Sequence, residues 1–121
     1  MLGFLFNFVI DNQDEGSINA TIKINKAHSV FKGHFPGFPV LPGVCQLLMI
    51  KEVLNAGLNK KHILKKAKSI KFLSVINPLD TESLKLTIVY KQDIELAIKV
   101  DAILYKEGLN YLKLKGMFYE S

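Results

Sequence analysis

Residues 42–56 carry Val44, Leu47, Leu48, Val53 and Leu54 at helical spacing, with Met49 and Ile50 beside them, so the chain's clearest helical pattern is apolar on nearly every side. A helix of this kind has to be enclosed rather than laid on a surface. Gly57 is the expected stop, since glycine readily takes the conformation that ends a helix. The enclosure must come from the rest of the chain, which reads as strand. Residues 4–10 and 17–25 are apolar-rich runs separated by DNQDEG, a β-hairpin pattern, and Ile18, Ala20, Ile22 and Ile24 alternate. After a lysine-rich connection, residues 69–76, 83–91, 95–105 and 109–119 form four further runs rich in Ile, Val, Leu and Tyr. Their breaks, NPLDT, KQD and KEG, are short and predict an antiparallel meander. One apolar helix and about six antiparallel strands define an α+β domain whose curved sheet wraps around a central helix.

The 121 residues suit one compact domain, residues 1–121, and an apolar fraction of 49 % with 10 % aromatics is a globular composition. A single cysteine, Cys45, allows no intramolecular disulfide and no metal-ligand cluster, so a cytoplasmic protein without metal or other cofactor is expected. The apolar run 1–10 has no basic leader, no small-residue cleavage site and too little length to span a bilayer. It is read as a buried first strand, with no membrane association. The net charge of +5 is concentrated at Lys60, Lys61, Lys65, Lys66 and Lys68, yet all 16 basic residues are lysine. Without the arginine fork or any nucleic-acid motif, nucleic acid is not an expected partner. These lysines and His62 among them are read as solvated surface, with an acidic protein partner as the alternative.

Residues 26–41 hold two of the four prolines and two glycines, too many for a helix or a central strand, so a long ordered loop precedes the helix. Such loops tend to carry function. A helix leaves its first N–H groups unpaired and is normally capped by Ser, Thr, Asp or Asn, whereas here it begins Leu41, Pro42, Gly43, Val44. Free amides at the positive end of the helix dipole suit a carbonyl that gains negative charge, an oxyanion hole. The plainer alternative is a start capped by water or by the loop. His34, in a loop stiffened by Pro36 and Pro39 and turned by Gly33 and Gly37, is a candidate general base or else a histidine that packs within the loop. His28 is a supporting residue of that loop.

His34, Phe35, Pro36, Gly37, Pro39, Pro42, Gly43 and Val44 resemble the HFPGxPxxPGV signature of hotdog-fold 3-hydroxyacyl-[acyl carrier protein] dehydratases. The likeness is closest to the FabZ type and to the small dehydratases of aryl polyene clusters. It extends to FLSVINPLD, residues 72–80, which is similar to that family's strand ending in a proline turn. The resemblance implies a hotdog fold and conversion of a (3R)-hydroxyacyl thioester to the trans-2-enoyl thioester, in fatty acid or related polyene biosynthesis. It implies His34 as base and the Gly43 N–H as oxyanion donor, with Phe35, Pro36, Gly37, Pro42, Val44, Gln46 and Leu48 around the substrate. It also implies a homodimer or higher oligomer with sites at the interface, and an acidic acyl carrier protein that the lysines would meet.

One position departs from the pattern. The family's helix carries a Glu or Asp that protonates the departing hydroxyl, and counting from Pro42 that position is Leu48. Glu52 shares the helix face of Leu48 and is a substitute acid, though its Cα lies about 6 Å further along the axis; the alternative is a surface or interface carboxylate paired with a lysine. Gln46, roughly 160° around the helix from Leu48, is a binding or structural residue. His34 performing both proton transfers, a non-catalytic acyl-thioester-binding subunit of a hotdog heterodimer, and an acyl thioesterase are further readings. Cys45 as a nucleophile activated at the helix start is the last.

Overall fold

The computed structural model describes residues 5–33, 37 and 39–121. Six strands, β1 (Phe6–Gln13), β2 (Ser17–Ile24), β3 (His62–Phe72), β4 (Ser83–Gln92), β5 (Ala97–Lys106) and β6 (Leu109–Glu120), form one sheet in the order β1-β2-β4-β5-β6-β3. Every neighbouring pair is antiparallel. Two helices interrupt the strands, a single turn α1 (Val30–Gly33) and the long α2 (Gly43–Leu58). The α+β expectation of six strands curved around one long helix therefore holds.

The alternating apolar residues of β2 and β4–β6 explain where the core lies. Ile18, Ala20 and Ile22 of β2, Leu84, Leu86 and Ile88 of β4, Val100, Ala102 and Leu104 of β5, and Leu112, Leu114 and Phe118 of β6 are all buried on one face. Against them lie Cys45, Met49, Ile50, Val53 and Leu54 of α2. At the β5–β6 hairpin, Glu107 and Gly108 both take positive φ (44° and 82°), the two-residue turn whose twist matches the strands it joins.

Several boundaries differ from expectation. The hairpin of β1 and β2 forms, but β1 runs on to Gln13 and is an edge strand: Phe6, Phe8 and Ile10 are half-buried while Asn7 and Val9 face outward. With a neighbour on one side only, it is not the fully buried strand expected. The loop before α2 contains α1, capped by the His28 Nδ1, which accepts from the Val30 N–H at 3.0 Å. Helix α2 passes through Gly57 and ends at Leu58, with Asn59 in the left-handed conformation (φ 53°). Asparagine tolerates that conformation, and Gly57 is small for another reason: a Cβ there would stand 2.5 Å from the Ile18 Cδ1.

The largest correction concerns the lysines. Residues 62–68 are not a connection but the first half of β3, which pairs with β6 rather than with β4, so the meander is limited to β4-β5-β6. Charged side chains mask a strand that is legible only through its partner. Lys65, Lys66 and Lys68 are exposed on this edge, and two bulges, at Leu64/Lys66 and Ala67/Ser69, break its register; both devices blunt an edge against indiscriminate pairing. Gly116 of β6 permits the approach, since a Cβ there would lie 2.7 Å from the Lys66 carbonyl oxygen. His62, expected on the surface, is 3 % exposed and held by Asn55, whose side chain bonds the His62 N–H (2.9 Å) and reaches its C=O (3.4 Å). No described helix is long and apolar enough to cross a membrane.

Candidate functional site

Pro42 stands at the start of α2 in extended conformation (φ −61°, ψ 147°), and no side chain caps the helix. Its carbonyl accepts from Cys45 N (3.0 Å) and Gln46 N (3.3 Å), so the helical ladder begins there. Among the described residues nothing accepts the N–H of Gly43 or Val44. The first turn holds no acidic residue, so the positive end of the helix dipole is not neutralised locally. The open helix start read from the sequence is thus present.

Its position is set from two sides. The Leu41 N–H donates to the Ile76 C=O at 2.8 Å, which ties the chain before α2 to the segment after β3, and the Leu73 N–H donates to the Tyr111 C=O at 2.8 Å, which fixes that segment to β6. Phe72, the last residue of β3, then lies over Gly43: a Cβ on Gly43 would stand 2.8 Å from the Phe72 Cζ. Glycine lets the aromatic ring come this close, and any side chain here would have to displace it. The Phe72 ring is itself 51 % exposed.

Around this junction Val40, Leu41, Pro42, Gly43 and Gln46 face residues 72–75 across a pocket of about 530 Å³. Gln46 is 3 % exposed; its Nε2 donates to the Leu41 C=O (3.3 Å) and its Oε1 has no partner. A buried acceptor without a donor costs free energy on the order of 1–3 kcal/mol, so its presence at this spot calls for an explanation.

A second hollow, about 280 Å³, lies on another side of α2 and is lined by Val44, Leu47, Leu48, Lys51, Leu64, Leu114 and Phe118. Among the described residues no carboxylate borders it. Val44 is 72 % exposed and Leu47 and Leu48 are half-buried, so α2 is not enclosed all round as its composition suggested. The chain covers one face and leaves a second apolar face open. Glu52, the one carboxylate of α2, is half-buried, stands outside the lining of this groove, and makes no hydrogen bond or ion pair among the described residues.

The structure therefore divides the expected site residues. Pro42, Gly43 and Gln46 share the pocket beneath Phe72, whereas Val44 and Leu48 share the apolar groove. Gly37, in the left-handed conformation (φ 78°), lines a third hollow with Lys26, His28, Phe31 and Pro39. His34, Phe35 and Pro36 lie outside the described residues. Cys45 is 2 % exposed, and burial pushes its thiol pKa up, the reverse of what an activated nucleophile needs. No cluster of His, Cys, Asp and Glu among the described residues is arranged to hold a metal. Sequence reasoning missed Phe72, Ser74, Val75 and Lys51. Only the pairing of FLSV with a glycine-led helix start could have signalled the first three.

Residues 10–107 match the ApeI-like family, described as ApeI dehydratase. A 79-residue stretch is 37 % identical to the 3-hydroxyacyl-[acyl-carrier-protein] dehydratase FabZ of Latilactobacillus sakei subsp. sakei (strain 23K), covering 60 % of this chain and 55 % of that protein. The match thus spans about half of the relative's length. In three dimensions the chain is similar to the dehydratase heterocomplex ApeI:P from Xenorhabdus doucetiae (TM-score 0.70, 17 % identity, 93 % of this chain and 98 % of that one). It is also similar to a hypothetical thioesterase with coenzyme A from Streptococcus pneumoniae TIGR4 (TM-score 0.67, 14 % identity, 95 % and 86 % covered). At such identities these structures establish the hotdog fold and no more.

Proposed function

The chain belongs to the ApeI-like dehydratase family, and from that premise we propose that it dehydrates a (3R)-hydroxyacyl group carried on acyl carrier protein. The product is the trans-2-enoyl thioester of fatty acid or related polyene biosynthesis. The observation that carries this reading is the start of α2, where the Gly43 and Val44 amides stay free beside a pocket. A thioester carbonyl seated on the Gly43 N–H gains negative charge as C2 loses its proton, and the amide and helix dipole stabilise that charge. His34, assigned on the motif alone, takes the proton. The C3–O bond then breaks and the leaving hydroxide takes a proton, so the thioester loses one water.

The groove beside Leu48 favours a second reading of the last step. Among the described residues its walls offer no carboxyl, so the proton for the hydroxide returns from His34, comes from Glu52 or the Lys51 ammonium, or is supplied by another subunit. The exposed apolar face of Val44, Leu47 and Leu48 supports an oligomer, and the heterocomplex named for the Xenorhabdus relative offers a precedent for an unlike partner. In that case the chain is the acyl-thioester-binding subunit of a hotdog heterodimer. The exposed lysines of β3 suit an acidic carrier in either case.

A turnover assay with carrier-linked 3-hydroxyacyl substrates tests the proposal. Enoyl product is expected, and His34→Ala should lower its rate at least about a hundredfold. Retained activity in that variant would remove His34 from the mechanism. Release of free carrier thiol would point to hydrolysis instead, and saturable carrier binding without turnover until a partner is added would favour the heterodimer.

A further inference from the structure

We infer that Gln46 is a specificity-determining residue whose Oε1 accepts a hydrogen bond from the 3-hydroxyl of the bound acyl group. The inference rests on the thioester reading above and names what the pocket distinguishes. Two independent observations meet at this place. The helix start offers donors without acceptors, the Gly43 and Val44 amides; one turn later Gln46, which lines the pocket beside Gly43, carries a buried acceptor without a donor, its Oε1.

Gln46 is drawn toward the helix start by its own hydrogen bond. Its Nε2 donates to the Leu41 C=O, and Leu41 is in turn pinned to Ile76, so the carboxamide is held beside the residues that precede Gly43. That bond also fixes which end of the carboxamide is left over: with the NH₂ group engaged by a carbonyl, the unpaired atom is the oxygen. An oxygen acceptor buried at 3 % residue exposure needs an O–H or N–H from whatever fills the pocket.

A 3-hydroxyacyl thioester provides such a group. With its carbonyl oxygen on the Gly43 N–H, the hydroxyl on C3 lies two carbons from the carbonyl carbon and carries a hydrogen to donate. The enoyl product has no group at C3 that can donate, and neither has a saturated or 3-keto acyl chain. A buried acceptor therefore separates hydroxylated substrate from every chain that lacks the hydroxyl, because those leave it unpaired. It also favours product release over product retention.

The test is binding rather than turnover, using hydrolysis-resistant analogues of 3-hydroxybutyryl- and butyryl-pantetheine in which methylene replaces the thioester sulfur. Wild-type protein should bind the hydroxylated analogue about tenfold more tightly than its deoxy counterpart, the range of one buried hydrogen bond. Gln46→Met, similar in length but without the acceptor, should reduce that ratio to near one while leaving the deoxy analogue's affinity within about threefold. Equal binding of the two analogues by wild type overturns the inference without recourse to any variant. So does a loss of equal size for both analogues in Gln46→Met, which would assign the acceptor to the carrier arm or to the fold. If wild type binds neither analogue, the thioester reading itself fails, and the inference with it.

Discussion

Two sides of α2 within its first two turns are built on opposite principles. Around Gly43 and Gln46 the described chain leaves polar groups unpaired: two amides at the helix start and one buried carboxamide oxygen. Around Leu48 it leaves carbon, a groove bordered by Val44, Leu47, Leu64, Leu114 and Phe118 with a lysine at its margin. The first side stores unsatisfied hydrogen-bonding capacity, which a polar ligand can use. The second stores unburied apolar surface, which an acyl chain or another subunit can cover. On the reading proposed above, placing and polarising a carbonyl is work for the first side; protonating a leaving group would fall to the second, which among the described residues has no carboxyl to do it with.

Removing a donor from the polar side should have the larger effect. Gly43→Pro deletes the N–H at a helical position that tolerates proline, after a residue whose ψ of 147° already suits a following proline. Turnover is expected to fall about 10²–10³-fold, the loss typical of one oxyanion donor, while the half-exposed Phe72 ring swings aside. A fall below tenfold in steady-state assays, with the fold intact by circular dichroism, would break the distinction between the two sides.

Cys45 gives the smallest effect. It lies next to both sides but is buried under the core, with its thiol pKa raised by desolvation. The thiolate fraction at pH 8 is accordingly below that of a free cysteine, so native protein should label slowly with a thiol reagent and faster as pH rises. Cys45→Ala should leave turnover within about twofold and cost roughly 1 kcal/mol of stability in urea titration, the loss of one small buried group. A large drop in turnover would put the thiol back into the chemistry.

Much of the polar side was legible in advance because it is written in backbone-determining residues. Proline and glycine at 42 and 43 leave a helix without a side-chain cap wherever it folds, and the structure bears this out. The strands of the core were legible for a similar reason, since Ile18, Ala20 and Ile22 alternate with the period of two that marks a half-buried strand. Less was readable where long-range pairing decides. The lysines of β3 read as surface, which they are, but their strand exists because β6 lies beside it. Phe72 reads as one more apolar residue, and only the topology brings it over Gly43. The orphaned Oε1 of Gln46 has no sequence signal at all, because a missing partner is visible only in three dimensions. The helix stops at Asn59, which tolerates the left-handed conformation, while Gly57 answers to the Ile18 side chain packed against it, a contact that no local rule contains.

On the reading proposed above, this chain places and polarises the thioester but lacks a carboxyl beside Leu48. Turnover of a carrier-linked 3-hydroxyacyl substrate by the purified chain, compared between wild type and Leu48→Glu, tests it most directly. The added carboxyl should raise turnover about tenfold or more, since positioned proton transfer usually contributes about 10²–10⁴-fold. Equal turnover in the two proteins, with substrate-analogue binding intact in both, would contradict it.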